Sequence, residues 1–322
     1  MPTLILTRHD VAGLLDMAAV IYAVEQAFKE WALGEAVMPP KSYLLSGQGD
    51  FRAMPASLEG AAGIKWVSVF PGNPLRGLPT VIGTLIYNDA ATGYPLAIMD
   101  ATELTDYRTG AAAAVASKHL ARQDSRVLGI IGAGRQSHTQ LKAHLEIFRF
   151  ERILVADKNP EAIRQMAEMF PGQPIEEASL EKAASSADIL CTVTPVRQPI
   201  IRREWIKPGT HINAIGADAA GKEELDPQIL LAAAQVVVDD IRQAFSGGEI
   251  NVPIKQGLFR VEDVYATLGE VVSGQKAGRR DDSAITVFDS TGLAIQDIAV
   301  ARLLYQRARQ EGGHLEIRLA DE

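Results

Sequence analysis

The sequence predicts an α/β protein: a Rossmann-type doubly wound parallel sheet, preceded by an N-terminal α+β domain. Two patterns predict this class. From residue 125 onward, short apolar runs alternate with helical stretches, as in a parallel sheet that is covered on both faces. Before about residue 120, strand-like runs follow one another without helices between them, which favours a mainly antiparallel sheet. The 322 residues are enough for two such domains.

The N-terminal part is expected to begin with a helix and to continue with five strands. Val20, Val24 and Phe28 recur at helical spacing, and Gly34 is a suitable stop. The strand-like runs are 42–45, 51–56, 64–70, 81–88 and 94–100. A helix of small residues at 111–120 then leads into the second part.

Six short apolar runs predict the strands of the parallel sheet. They are 127–131, 153–156, 189–192, 211–215, 236–239 and 285–289. Helical stretches, for example 136–148 and 160–170, lie between most of them. The last helix, 293 to about 310, and the tail at 314–319 could belong to either domain.

The composition excludes several classes of function. The net charge is −8, from 32 basic and 40 acidic residues, so the basic surface of a nucleic-acid binder is not expected. No apolar run reaches the ~18–20 residues of a membrane span, and the N-terminus lacks the features of a signal peptide. Cys191 is the only cysteine, and the histidines have no metal-ligand spacing. We expect a cytoplasmic protein that acts on a small molecule without a metal.

The strongest single motif is the glycine-rich turn at 132–136, between a predicted strand and a predicted helix. Gly132 ends the strand and permits a tight turn, and Gly134 has no side chain, so that a pyrophosphate can approach the backbone. Arg135 and Gln136 open the helix, whose free N–H groups and dipole favour that phosphate. Ser137 replaces the third glycine of the usual pattern. The alternative is a purely structural turn.

The residue at the end of the next strand indicates which dinucleotide is bound. Asp157 can accept hydrogen bonds from both ribose hydroxyls and repels a 2′-phosphate, which favours NAD over NADP. The neighbouring Lys158 is an argument against this choice of NAD, because its cation could contact a phosphate. Because ligands bind beyond the carboxyl ends of such strands, later strand ends are further candidates, with ordinary loop chemistry as the alternative. These candidates are Thr194, Ala217, Ser290 and Gly292.

Four cationic residues lie within or near the strand-like runs, so some of them can line one site: Lys41, Arg52, Lys65 and Arg108. Lys65 has apolar neighbours on both sides. Either its amine reaches solvent at a strand end, or it is desolvated, which lowers its pKa towards that of a usable base. Asp218 follows a predicted strand, where an aspartate can simply form the turn.

Eight segments carry a resemblance to the ornithine cyclodeaminase/μ-crystallin family, most of all to its archaeal-type alanine dehydrogenase branch. They run in order along nearly the whole chain: 38–41, 52–56, 63–67, 108–112, 132–136, 211–218, 247–252 and 290–297.

The resemblance implies a homodimer. Its domain 1–120, joined by the C-terminal helix at about 300–322, would bind substrate and form the dimer interface, and domain 121–299 would bind NAD. It also implies that Lys65 and Arg108 hold the substrate carboxylate, with Arg108 also near the cofactor and Lys41 where many relatives have arginine. Asp218 occupies the position of the cyclodeaminase base, so it is either an amine base, a water activator or only a turn-forming residue.

The resemblance and the site residues predict an NAD-dependent amino acid dehydrogenase: L-alanine, NAD and water giving pyruvate, ammonia and NADH. Three alternatives stay open. The first is ornithine cyclisation to proline and ammonia with NAD recycled, although the cationic Arg52 would repel the second ammonium of ornithine. The second is reduction of a cyclic ketimine or condensation of a keto acid with an amine. The third is a binding protein that retains the cofactor cleft without turnover.

Overall fold

The computed structural model describes residues 2–319, which divide into two compact units. The first unit is formed by the chain up to Arg108 and again from Leu293, and the second unit is Thr109–Gly292. The sequence had suggested boundaries near 120 and 299. The first boundary lies earlier because a single helix, Thr102–Leu120, runs through it, and its small-residue part packs in the second unit.

The secondary structure is numbered along the chain. The strands are β1 (Thr3–Leu6), β2 (Ser42–Ser46), β3 (Gly49–Leu58), β4 (Ala61–Val69), β5 (Val81–Asp89), β6 (Pro95–Asp100), β7 (Val127–Ile131), β8 (Arg152–Ala156), β9 (Ile175–Glu177), β10 (Ile189–Thr192), β11 (Arg197–Ile201), β12 (His211–Ala214), β13 (Glu223–Leu225), β14 (Gln235–Val238), β15 (Ala266–Thr267), β16 (Thr286–Asp289) and β17 (Leu315–Ile317). The helices are α1 (Arg8–Leu14), α2 (Met17–Ala32), α3 (Thr102–Leu120), α4 (Arg135–Ile147), α5 (Pro160–Met169), α6 (Leu180–Ser186), α7 (Pro227–Ala232), α8 (Ile241–Gly247), α9 (Asn251–Lys255), α10 (Leu268–Val272) and α11 (Ala294–Glu311).

The first unit is a seven-stranded sheet in the order β17-β1-β6-β5-β4-β3-β2. All of its pairs are antiparallel except β1 with β6. This confirms the five expected strands and adds β1 and β17, so the tail that the sequence left unassigned joins this sheet. Helices α2 and α11 pack together and α11 contacts β3, β4 and β5, so alternate residues of these strands, such as Met54 and Leu85, are buried beneath it.

The second unit is built on an eight-stranded, wholly parallel sheet in the order β15-β14-β16-β12-β10-β7-β8-β9. All six expected strands are present. The two additional strands, β9 and β15, lie at the edges and are too short to produce an apolar run in the sequence. The chain runs from β7 outward to β8 and β9, then returns to β10 on the other side of β7. This reversal is the switch point beside which ligands bind in doubly wound sheets.

Alternate residues along the strands of this parallel sheet pack into two separate apolar cores. Ile131, Leu190 and Ile212 belong to one, and Ile130 and Ile189 to the other. Both faces are therefore covered, which is why the strands appear in the sequence as continuous apolar runs rather than alternating ones.

No single helix within residues 2–319 is long and apolar enough to cross a membrane. The bent pair α1 and α2 passes that test by length and composition only.

Candidate active site

Lys65 lies in β4 on the face of the sheet that α11 covers, and its side chain is only 1% exposed. Its Nζ donates to Asp297 Oδ1 at 2.7 Å and to Thr105 Oγ1 at 3.3 Å. Burial lowers the pKa of Lys65 to about 7, and the nearby Arg108 charge adds to that effect while Asp297 opposes it. The lysine is therefore close to the point at which it exchanges a proton at neutral pH.

Arg108 shares the same carboxylate. Its Nε lies 3.2 Å from Asp297 Oδ1, and its guanidinium also donates to Gln296 Oε1 at 3.0 Å. Asp297 is fully buried in the first turn of α11, where the helix dipole favours a negative charge. Two cations thus converge on one buried carboxylate oxygen.

The other two predicted cations are arranged differently. Arg52, in β3, pairs with Asp50 at 2.7 Å and stacks over the Tyr43 ring at 5.4 Å. Lys41 directly precedes β2 and is half-buried, and its charge is one of those that lower the pKa of Lys65. The structure therefore brings Lys65 and Arg108 onto a common partner and gives Arg52 a carboxylate of its own.

In the second unit, the glycine-rich turn has the form that a phosphate requires. Gly132 has φ of 98° and its N–H bonds to the Ala156 carbonyl at 2.8 Å, which fixes the turn to β8. Gly134 precedes the first residue of α4, and no side chain caps that helix. A Cβ built at Gly134 meets nothing within 4 Å, so the space before the helix N-terminus is open. Exposed Arg135 and half-buried Gln136 form the first turn behind it.

Asp157 lies just beyond β8, beside this turn. Its Oδ2 accepts the Ala133 N–H at 2.6 Å and its Oδ1 accepts the Asn159 N–H at 2.7 Å. The carboxylate is thereby oriented by backbone while remaining exposed, as is Lys158. An exposed, oriented carboxylate at this position suits a ribose diol.

The remaining predicted cofactor residues also lie at the carboxyl ends of the strands. Thr194 follows β10, Ala217 follows β12, and Ser290 and Gly292 follow β16. The last segment is fixed by Asp239, whose Oδ2 accepts the Gly292 N–H at 2.7 Å. All of these positions therefore lie along one edge of the sheet, the edge that carries the glycine-rich turn.

Asp218 follows Ala217 in the same loop. Its carboxylate accepts a hydrogen bond from the Lys222 Nζ, and both side chains are partly exposed. A carboxylate held in this way stays oriented and can still reach a bound molecule.

Sequence reasoning missed Asp297 and Glu224. Asp297 is the one charged residue in the apolar stretch 293–300, and a charge within such a stretch indicates a buried ion pair. Glu224, a buried residue that accepts hydrogen bonds from the Thr194 and Gly216 N–H groups at the carboxyl ends of β10 and β12, left no comparable signal. Nothing local distinguishes it from the neighbouring Glu223.

A doubly wound parallel sheet with a glycine-rich turn and an acid after the second strand defines the class of dinucleotide-binding folds. The family model described as "Ornithine cyclodeaminase/mu-crystallin family" matches residues 1–312, and the chain belongs to that family.

Three known proteins show how similar individual members are. An alanine dehydrogenase of Archaeoglobus fulgidus is 51% identical over 310 residues, 96% of each chain. A solved archaeal alanine dehydrogenase dimer with bound NAD superposes with a TM-score of 0.97 at 49% identity, covering 99% of this chain and 100% of the other. The Δ1-pyrroline-2-carboxylate reductase of Thermococcus litoralis, solved with NADH and L-proline, gives a TM-score of 0.94 at 38% identity, covering 98% and 100%.

Proposed function

We propose that this protein is an NAD-dependent amino acid dehydrogenase that interconverts L-alanine with pyruvate and ammonia. The observation that carries the proposal is the cluster of Lys65, Arg108 and Asp297. Its side chains place two cations against one carboxylate in a buried position. The likeness to the alanine dehydrogenases supports the choice of substrate.

The charge of this cluster favours an anionic ligand. A buried charge is costly unless it is paired, and when Lys65 is protonated one carboxylate offsets only one of the two cations. The carboxylate of an amino acid or keto acid would supply the missing negative charge. Arg108, whose guanidinium can bind a carboxylate with two parallel hydrogen bonds, is the better anchor of the two, which leaves Lys65 available for proton transfer.

The second unit would hold the cofactor at the carboxyl edge of its sheet. The open backbone at Gly134 and the uncapped start of α4 fit a pyrophosphate, and the carboxylate of Asp157 fits a ribose diol. When bound, NAD supplies the acceptor for the two electrons and the hydrogen that leave the substrate Cα. Thr194, Ala217, Ser290 and Gly292 complete the proposed contacts.

The chemistry demands a base, because a protonated amine cannot release electrons to form an imine. We assign this role to Lys65, since its pKa of about 7 leaves much of the amine neutral at mildly alkaline pH. Removal of one ammonium proton and of the Cα hydrogen with its electron pair gives a protonated imine, and addition of water then releases ammonium and leaves the keto acid. Asp218 is the second candidate for the base, or for activating the water.

Reduction of a cyclic imine is the second candidate function. A lysine with a pKa near 7 can also donate a proton to an imine nitrogen, and the Thermococcus litoralis relative is a reductase solved with NADH and proline. Ornithine cyclisation stays an alternative, because Arg52 is paired with Asp50 and its charge alone does not exclude a second ammonium group.

We also propose that the protein is a homodimer whose interface is formed by the first unit. The face of its sheet opposite α11 carries exposed apolar side chains, among them Leu44 at 58%, Trp66 at 42% and Ile82 at 39% exposure. Large apolar patches of this kind are typical of protein interfaces. A cytoplasmic location stays a prediction, which fractionation of cells that produce the protein tests.

One assay separates the candidates. The purified protein is incubated at alkaline pH with NAD and each of a panel of L-amino acids that includes alanine and ornithine, and NADH and ammonia are measured together. We expect NADH and ammonia in equal amounts from alanine. Ammonia and proline from ornithine without NADH would instead identify a lyase, and activity only with cyclic imines and NADH would identify a reductase. Binding of NADH without turnover of any substrate would indicate a binding protein that retains the cofactor cleft and has none of these activities.

A further inference from the structure

Glu224 is a fully buried carboxylate that no part of the proposed chemistry uses. Its two oxygens accept four hydrogen bonds. Oε1 accepts from the Thr194 N–H and Oγ1, each at 2.7 Å, and Oε2 accepts from the Thr192 Oγ1 at 2.7 Å and the Gly216 N–H at 2.9 Å. Thr192 ends β10, whereas Gly216 follows β12. A single side chain therefore joins the carboxyl ends of two neighbouring strands of the parallel sheet.

The two loops that Glu224 joins are packed closely together. A Cβ at Gly216 would lie 2.1 Å from the Thr194 carbonyl oxygen and 2.6 Å from the Glu224 carboxylate, so only glycine fits there. Thr194, a proposed cofactor contact, itself donates two of these bonds, and Ala217, another proposed contact, directly follows Gly216 in the chain. The position of both contacts thus depends on one carboxylate.

A second buried acid fixes Glu224 itself. Glu249 Oε1 accepts the backbone N–H groups of Glu224 at 2.9 Å and Leu225 at 2.7 Å. Burial raises the pKa of Glu224, and burial together with the Glu224 charge raises the pKa of Glu249 well above its usual value. The pair therefore favours a single negative charge, which is stabilised best on Glu224 because four donors surround it.

We propose that Glu224 is a positioning residue that aligns the loops after β10 and β12 for the nicotinamide cofactor. The proposal rests on the proposed function, because it assumes that these loops contact NAD. It predicts that the charged carboxylate matters for cofactor affinity and not only for folding.

The substitution Glu224→Gln tests the carboxylate with almost no change in volume. Whichever way the amide is turned, its NH2 group faces a backbone N–H, that of Thr194 or that of Gly216, so one of the two loops must move. Asp188→Asn is a matched control. Asp188 is a buried acceptor at the opposite, amino-terminal edge of the same sheet, where it binds the Arg126 and Val127 N–H groups, each at 2.9 Å.

The measurements are the dissociation constant of NADH by fluorescence titration, the KM for NAD and kcat, and the urea midpoint of unfolding. For Glu224→Gln we expect the NADH dissociation constant and the KM for NAD to rise together by about tenfold or more, the equivalent of one lost buried hydrogen bond, with kcat changed much less. For Asp188→Asn we expect a lower urea midpoint with the NADH affinity within about twofold of the wild type.

A second pair of variants decides the matter if Glu224→Gln does not fold. Thr192→Val removes one of the four donors without changing the shape of the side chain, whereas Thr192→Ser keeps the hydroxyl. We expect weaker NADH binding for Thr192→Val and recovery for Thr192→Ser. If the wild type binds NADH and Glu224→Gln or Thr192→Val loses stability alone, Glu224 is a structural residue and the proposal falls. If the wild type itself does not bind NADH, the proposed function falls with it.

Discussion

The groups around Lys65 shift its pKa in opposite directions. Burial and the Arg108 guanidinium lower its pKa, the Asp297 carboxylate raises it, and the balance lies at about 7. The charge on a single neighbouring residue is therefore enough to decide whether the amine is neutral in the physiological range.

Replacing Asp297 with Asn should move this balance. Without the carboxylate, the pKa of Lys65 falls below its present value of about 7, so the amine stays neutral down to a lower pH. We expect the acid limb of the pH profile of kcat/KM for alanine to shift to lower pH by about one unit or more, since an adjacent opposite charge typically changes a pKa by that much. Activity is measured from pH 5 to 10, and circular dichroism confirms folding. An unshifted acid limb in a folded variant would remove Lys65 as the base and favour Asp218.

Asp289 provides a test of stability against pH. Burial, assisted by the charge of Asp239, raises its pKa from 3.8 to about 8. Between these two values the folded state holds a proton that the unfolded state has released, so this contribution to stability is lost as the pH rises through 8.

The variant Asp289→Asn has no carboxyl group to ionise at this position, so its stability should not fall with pH for this reason. We expect the free energy of unfolding of the wild type to fall more between pH 6 and pH 9 than that of the variant, by roughly 2 to 3 kcal/mol. Urea unfolding at both pH values measures the difference. The charge of Asp289 also raises the pKa of Glu249, so the measured difference includes the loss of that coupling. Equal slopes for the two proteins would mean that Asp289 is already ionised at pH 6.

At the scale of elements, the second unit depends on how closely α3 approaches α4. Residues Ala111–Ala116 of α3 are all fully buried, and Gly110 lies directly against Thr139. A Cβ at Gly110 would come within 2.3 Å of the Thr139 carbonyl oxygen, so the two helices touch through backbone. This is why α3 is rich in small residues while showing little amphipathic pattern in the sequence.

Substitution Gly110→Ala should therefore destabilise the protein despite the better helix propensity of alanine. We expect a loss of about 1–3 kcal/mol, because the added methyl group forces the helices apart. Gly13→Ala, in α1, is the matched control, since a Cβ there meets nothing within 4 Å, and it should be neutral or stabilising by up to ~1 kcal/mol. Urea unfolding compares the two variants. A neutral Gly110→Ala would show that the contact can relax.

At the scale of the whole molecule, the exposed sheet face of the first unit is the strongest indication of self-association. The pairing aligns Leu44 with Phe51, Phe51 with Ser68, and Ser68 with Ile82, so one largely apolar row crosses four strands on a single face. The opposite face of β3, β4 and β5 is covered by α11. A sheet that is apolar on both faces needs a cover on both.

A charge placed on this face should separate the subunits. We expect Trp66→Glu to sediment as a monomer at concentrations where the wild type is a dimer, because a carboxylate would be buried without a partner in the interface. Met169→Glu is the control, since Met169 is 51% exposed on α5 of the second unit and should not affect assembly. Analytical ultracentrifugation measures both variants. A Trp66→Glu dimer would place the interface elsewhere.

The sequence by itself determined the elements and the local motifs. Apolar runs, helical spacing and the glycine-rich turn depend on neighbours along the chain, so they predicted the six principal strands, the turn at Gly132 and Gly134, and the acid at Asp157. The apolar neighbours of Lys65 also indicated that its amine could be desolvated. Only the tertiary structure decided which distant residues meet. Lys65 and Asp297 are separated by 232 positions, and Glu224 joins two loops only because β10 and β12 pair side by side. The apolar stretch around Asp297 indicates a buried ion pair but not its partner, because the pairing is decided by the packing of strands and helices that are remote in the chain.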